Sequence, residues 1–252
     1  MSVPKFSRFW GSRLAEGTSL NYLVAVKIKA LYTCLFLLLS FSTVSFSQIN
    51  HAQELETKLQ AQGLVNIHIL APDILVELKY SSTDNFLGKD TYGDLENCYL
   101  QPKAAKMLSE AQNSLKKIHP ELSLLVYDGA RPRSVQRIMW ALVVGTPSQG
   151  YVANPDRGSV HNYGSAVDLT IATNDGIPLD MGTPFDYFGK LAQPKYEVQF
   201  LDEGKLSPKQ IENRKLLRKV MTDAGFKNIS NEWWHFNAVP VKVARSTYKI
   251  VE

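Results

Sequence analysis

Apolar and polar residues along this chain follow two rhythms, short runs of period two and longer runs at helical spacing. Leu55 and Leu59, four apart with Gly63 just beyond, mark a short helix over 52–62. Val65-Asn66-Ile67-His68-Ile69-Leu70 and Val76-Glu77-Leu78-Lys79-Tyr80 alternate as strands do. Leu108, Ala111, Leu115 and Ile118 form the apolar stripe of a helix over 102–118, with Pro102 in its first turn and His119-Pro120 ending it. Leu122 to Tyr127 reads as a buried strand that runs into Asp128-Gly129-Ala130-Arg131-Pro132. Ser134 then caps a helix whose inward positions are Val135, Ile138, Met139, Leu142 and Val143. Residues 165–171 are strand-like, and 173–208 are loop-dominated, a length that suggests a cover for part of a cleft. A helix over 208–224 turns Ile211, Leu216, Leu217, Val220 and Met221 inward, with Gly225 as its stop, and the segment 232–239 is aromatic and strand-like. Strands and helices mix without strict alternation. The expected fold is therefore α+β: a single domain with a mainly antiparallel central sheet flanked by helices.

Charge changes this picture little. The formal net charge is +4, but Lys5, Arg8, Arg13, Lys27 and Lys29 against Glu16 account for all of it within the first 50 residues. The remaining body is neutral, which leaves no electrostatic footprint for nucleic acid. Cys34 and Cys98 are the only cysteines, and Cys98 is alone in the body, best read as a structural thiol. Lys27 and Lys29 precede the apolar run 30–41, and Ser45-Phe46-Ser47 places small side chains at −3 and −1 of a cut before Gln48. Those are the parts of a secretory signal peptide. The division expected is a leader over 1–47 and one domain over 48–252. The expected location is exported and periplasmic, with no membrane contact beyond the leader. An uncleaved leader acting as an N-terminal anchor is the alternative.

Candidate chemistry gathers at two stretches, Ser159-Val160-His161-Asn162-Tyr163-Gly164-Ser165-Ala166-Val167-Asp168 and Glu232-Trp233-Trp234-His235. His161, Asp168 and His235 make a three-ligand set for a hydrolytic zinc ion with one position left for water. Glu232, three residues before a ligand, is placed to take a proton from that water. Arg131, delivered by a strand end, is a candidate to hold an oxyanion. Spacing by itself argues less strongly. An ideal strand puts residues seven apart on opposite faces, so His161 and Asp168 converge only if the backbone bends, and Gly164 is the natural place. His68 and His119 have no neighbours that complete a metal site and read as structural.

At these residues the chain resembles the VanX-type zinc D-alanyl-D-alanine dipeptidases, among zinc peptidases that share a hedgehog-like fold. The resemblance covers roughly Val76 to the C-terminus. It rests on Tyr80 with Asp84-Asn85-Phe86, on Asp128 to Pro132, on the stretch Ser159 to Asp168, on Met181-Gly182-x-x-Phe185-Asp186, and on Glu232 to His235. It implies one zinc per chain on His161, Asp168 and His235, with Glu232 as general base and acid and Arg131 as the transition-state cation. It further implies Ser159 near the substrate's carboxylate, and Tyr80 and Asp186 around its free amino end. The implied substrate is a small D-amino-acid dipeptide in a closed cavity. Ala130 departs from the family, which often carries a tyrosine there, and the residues around His161 also differ. Because an exported enzyme cannot reach cytoplasmic D-Ala-D-Ala, the resemblance together with the leader implies recycling or scavenging, not resistance. Two other readings stay open: an exported D,D- or L,D-carboxypeptidase trimming peptidoglycan stem peptides, and an inactive binding module of the same fold.

Overall fold

The computed structural model describes residues 51–252 apart from residue 94, and the leader read over 1–47 lies outside the described residues. Among the described residues no helix is long and apolar enough to cross a membrane. Residues 51–61 are helical (α1), and Leu55 and Leu59 are its buried positions. The centre of the fold is a five-stranded sheet in the order β2 (Leu75–Val76), β4 (Leu122–Asp128), β5 (Ala166–Thr173), β7 (His235–Asn237) and β6 (Lys227–Asn228). Only β2 and β4 run parallel; the other three pairings are antiparallel, and β1 (Val65–Asn66) pairs separately with β3 (Tyr99–Leu100). This is the single α+β domain expected.

Alternation along the central strands assigns the two faces of the sheet. Leu124 and Val126 of β4, Val167, Leu169 and Ile171 of β5, and Phe236 of β7 join the main core. That core lies under α2 (Pro102–Ile118) and α5 (Pro208–Asp223), which pack against the sheet and each other. Leu125 and Tyr127 of β4 and Ala172 of β5 turn to the opposite face, where Phe185 of the long loop covers them. The period of two therefore places Asp168, flanked by Val167 and Leu169, on the face away from the helices. The pairings Asp168↔His235 and Ala166↔Asn237 bring His235 and Asn237 to that same face.

A bulge re-aims one further side chain. Val126 pairs with Leu169 and Asp128 with Asp168, so β4 spends two residues where β5 spends one. Asp128 is thereby shifted from the helix face, which simple alternation would give it, to the face of Asp168.

Several expected elements are shorter or shifted. The alternating run 65–70 is a two-residue strand followed by a 3-10 turn over Ile67–Ile69, where the Asn66 side chain accepts from the His68 backbone N–H. The run 76–80 likewise gives way to a 3-10 turn over Lys79–Ser81 that buries Tyr80. In both, local side-chain and turn hydrogen bonds override an alternating pattern too short to hold a ladder. Helix α3 (Arg133–Val143) starts from Pro132 with no side-chain cap, so Ser134 does not cap it, and Ile138 and Leu142 are exposed. The segment 173–208 is not wholly irregular, since α4 spans Glu197–Asp202. Helix α6 (Val241–Thr247) was not legible in the pattern.

The long loop over 179–192 is pinned by α5. Asn213 Nδ2 donates to the Asp180 carbonyl, and Arg214 donates from Nε to the Met181 carbonyl and from Nη2 to that of Leu191. The α5 start is fixed by a capping box in which Ser207 and Gln210 satisfy each other's backbone N–H.

Candidate active site

His161 arrives on a 3-10 turn, Val160–Tyr163, whose N-cap Ser159 accepts from its backbone N–H. Gly164 ends the turn in the left-handed region at φ 62° and leads straight into β5. This is the bend that the seven-residue spacing required. A Cβ at Gly164 would lie 2.5 Å from Leu64 Cδ2, so glycine serves there by both conformation and space. The chain end braces the turn, because Val251 N–H donates to the Asn162 carbonyl.

The structure brings His161, Asp168 and His235 together, all buried, with one donor atom from each within 4.8 Å of the others. The outer ring nitrogens are already bonded: His161 Nδ1 lies 2.8 Å from the Gly129 carbonyl, and His235 Nε2 lies 3.0 Å from Asn237 Oδ1. Both partners are acceptors, so those nitrogens carry the protons. That leaves the lone pairs of His161 Nε2 and His235 Nδ1 facing each other at 3.1 Å, with the Asp168 carboxylate beside both. Two imidazole lone pairs and an anion converging in a buried site repel one another unless a cation lies among them. The donor set therefore fits a divalent metal ion, and hydrogen-bonded outer nitrogens are the usual support of histidine ligands.

Arg131 is held hard. Its Nε and Nη2 donate to Asp128 Oδ2 at 2.8 and 2.5 Å, its Nη1 donates to Gln136 Oε1 at 3.0 Å, and its guanidinium lies 5.4 Å from the Tyr80 ring centre. Asp128 also accepts from the Tyr92 hydroxyl at 2.7 Å, which fixes the carboxylate that fixes the arginine. The sequence reading gave Asp128, Gln136 and Asn237 no role. Asp128 stood in the same motif as Arg131, whereas Gln136 and Asn237 carried no signal that distinguishes them from ordinary polar residues.

Tyr80 is buried and donates its hydroxyl to Asp186 Oδ2 at 2.6 Å. Asp186 adopts φ 59°, the one non-glycine among the described residues at positive φ. Burial pushes its carboxyl up to about 7, partly offset by the Tyr80 hydrogen bond. Burial likewise pushes Glu232 up to about 8, with His235 opposing. These residues, with Ser159, Arg131 and the three clustered donors, line one cavity of about 310 Å³, at the small end for a small-molecule site. All eight residues singled out in the sequence thus meet around one space. A larger cavity, about 620 Å³, lies beyond Phe86 and Asp186 and contains none of the clustered donors.

Comparison with known proteins then decides the family. The family model described as D-ala-D-ala dipeptidase, a peptidase family, matches residues 60–251. The chain belongs to the D-Ala-D-Ala dipeptidase family. It is 37% identical to the D-alanyl-D-alanine dipeptidase of Escherichia coli (strain K12) over 177 residues, 69% of this chain and 83% of that one. It is 30% identical to the D-alanyl-D-alanine dipeptidase of Enterococcus faecalis (strain ATCC 700802 / V583), over 65% of this chain and 85% of the relative. A D-alanyl-D-alanine dipeptidase of Synechocystis sp. (strain ATCC 27184 / PCC 6803 / Kazusa) is 29% identical over 168 residues, 55% of this chain and 68% of that one. Membership makes the protein a hydrolase, a dipeptidase of a metallopeptidase family, and removes the reading as an inactive binding module. These relatives are dipeptidases, so the carboxypeptidase reading is not favoured.

Proposed function

We propose that the protein hydrolyses the free dipeptide D-Ala-D-Ala to two D-Ala, using one zinc ion and Glu232 as general base. The observation that carries this reading is the buried convergence of His161 Nε2, an Asp168 carboxylate oxygen and His235 Nδ1 in a small cavity that also holds Glu232 and Arg131. These three side chains would hold the ion, whose chemistry there is Lewis acidity, acidifying a water and drawing charge from the scissile carbonyl.

The chain's own residues do the rest. Glu232 takes a proton from the attacking water and passes it to the leaving amine as the C–N bond breaks. Burial pushes its carboxyl up to about 8, and a divalent cation beside it would favour the ionised form that accepts the proton. Arg131, immobilised by Asp128 and Gln136, offers a fixed positive charge to the oxyanion and needs no reorganisation as that charge develops. Asp186, buttressed by Tyr80, receives the substrate's ammonium, and Ser159 lies near its carboxylate. Burial raises the Asp186 carboxyl to about 7, and a bound ammonium would favour its ionised form, so the group that burial disfavours as a charge becomes a paired one.

Glu232→Gln in the purified, zinc-loaded full chain is expected to lower kcat for D-Ala-D-Ala by about 10²- to 10⁴-fold. One zinc per chain is retained in that variant by metal analysis. Wild-type turnover in Glu232→Gln would remove it as the base. His161→Ala is expected to lose the zinc itself.

We further propose that residues 1–47 export the enzyme, which then works on wall-derived dipeptides for recycling or scavenging. Fusing 1–47 to alkaline phosphatase, which is active only outside the cytoplasm, tests this: an inactive fusion would refute export.

A further inference from the structure

Four aromatic rings stand in an unbroken line along the site cavity. Tyr151 stacks on Phe188 with ring centres 5.2 Å apart and planes 14° apart, Phe188 meets Phe86 at 5.0 Å, and Phe86 meets Tyr80 edge-on at 6.3 Å. All four line the 310 Å³ cavity. Tyr151 is anchored at the outer end by Gln193, whose Nε2 donates to its hydroxyl at 2.7 Å, and Tyr80 ends the line on Asp186. Three separate surface segments, around Phe86, Tyr151 and Phe188, contribute one ring each.

We infer that this ring line is the wall that limits the substrate on its amino side, so that it rejects N-acylated and longer peptides. The inference rests on the dipeptidase reading above and adds the residues that set substrate length. Two observations carry it. The line ends on the Tyr80–Asp186 pair, so the rings that follow from an ammonium held by Asp186 are Phe86 and then Phe188. Space also lies behind one of its rings: the 620 Å³ cavity shares Phe86 and Asp186 with the site cavity, so Phe86 borders both volumes. Half-buried rings on loops, held by stacking and one hydrogen bond, form a wall that a single truncation opens.

Equilibrium binding separates this inference from the catalytic one, because it does not depend on turnover. In a zinc-loaded Glu232→Gln background, which keeps the metal and scarcely turns the dipeptide over, calorimetric titration with D-Ala-D-Ala and with N-acetyl-D-Ala-D-Ala gives a preference for the free dipeptide, expected to be about tenfold or more. Phe188→Ala is expected to erase most of that preference, chiefly by tightening binding of the acylated peptide. Asp186→Asn is expected to erase it the opposite way, by weakening the free dipeptide. Phe188→Leu, which keeps apolar bulk, retains the preference. Tyr151→Ala, at the outer end of the line and in another segment, shifts it in the same sense as Phe188→Ala and serves if that variant does not fold. An unchanged preference on adding Phe188→Ala or Tyr151→Ala, or no preference in the Glu232→Gln parent, overturns the wall. Failure of the wild type to cleave D-Ala-D-Ala would instead overturn the dipeptidase reading, with the binding ratios still deciding the wall.

Discussion

At the scale of single residues, Asp186 is the most informative. Left-handed φ is costly for an aspartate and is kept only where surrounding contacts demand it. Here the Tyr80 hydroxyl and the α5 hydrogen bonds to the loop supply that demand. The folded chain keeps a proton on Asp186 up to about pH 7, whereas the unfolded chain releases it from about 3.8. Between those values the unfolded state binds fewer protons, so stability falls as pH rises from about 4 to about 7 and is level above. Urea denaturation of metal-free protein is expected to show this fall in the wild type relative to Asp186→Asn, which keeps a residue tolerant of positive φ and removes the titration. Parallel profiles for the two proteins would refute it. Cys98 is the contrasting case, a buried thiol whose ionisation burial pushes far upward and which touches no reacting group. In a Cys34→Ser background, a thiol reagent is expected to label Cys98 only as the protein unfolds.

At the scale of elements, the turn that carries His161 and the strand that follows act as one unit. Gly164 reverses the chain between them, and alanine there costs about 1–2 kcal/mol for the left-handed backbone, before Leu64 is displaced. Gly164→Ala is expected to lower stability by at least that amount and to weaken zinc binding as His161 moves. Thermal melts and zinc titration check the two parts. The long helices α2 and α5 were legible because seventeen and sixteen residues give a helical stripe room to repeat. The short strands β3 and β6 were not: two residues cannot display a period, and β3 is fixed by β1, a partner distant in sequence. Alternation in β5 does explain Asp168, which lies between two core residues and so must face away from them.

At the scale of the whole molecule, the site is the seam where most of the fold is joined. The turn, β5, β7, the Asp128 bulge and the loop pinned by α5 each bring one part of it. A metal that binds only the folded chain stabilises it by mass action, by about 2.7 kcal/mol at a hundred times its Kd. Adding zinc to metal-stripped protein is expected to raise the melting temperature accordingly, and His161→Ala to abolish the rise. The sequence by itself determined the α+β class, the long helices and the candidates His161, Asp168, His235, Glu232 and Arg131, because side-chain chemistry, long periodic runs and glycine positions are local properties; Ser159, Tyr80 and Asp186 came through the family resemblance. Only the tertiary structure decided which ring nitrogens face the metal site, that Asp128 turns to hold Arg131, and that Tyr151, Phe188 and Phe86 meet in one line. Those depend on strand register, a bulge and loop packing, which are set by contacts between residues far apart in the chain.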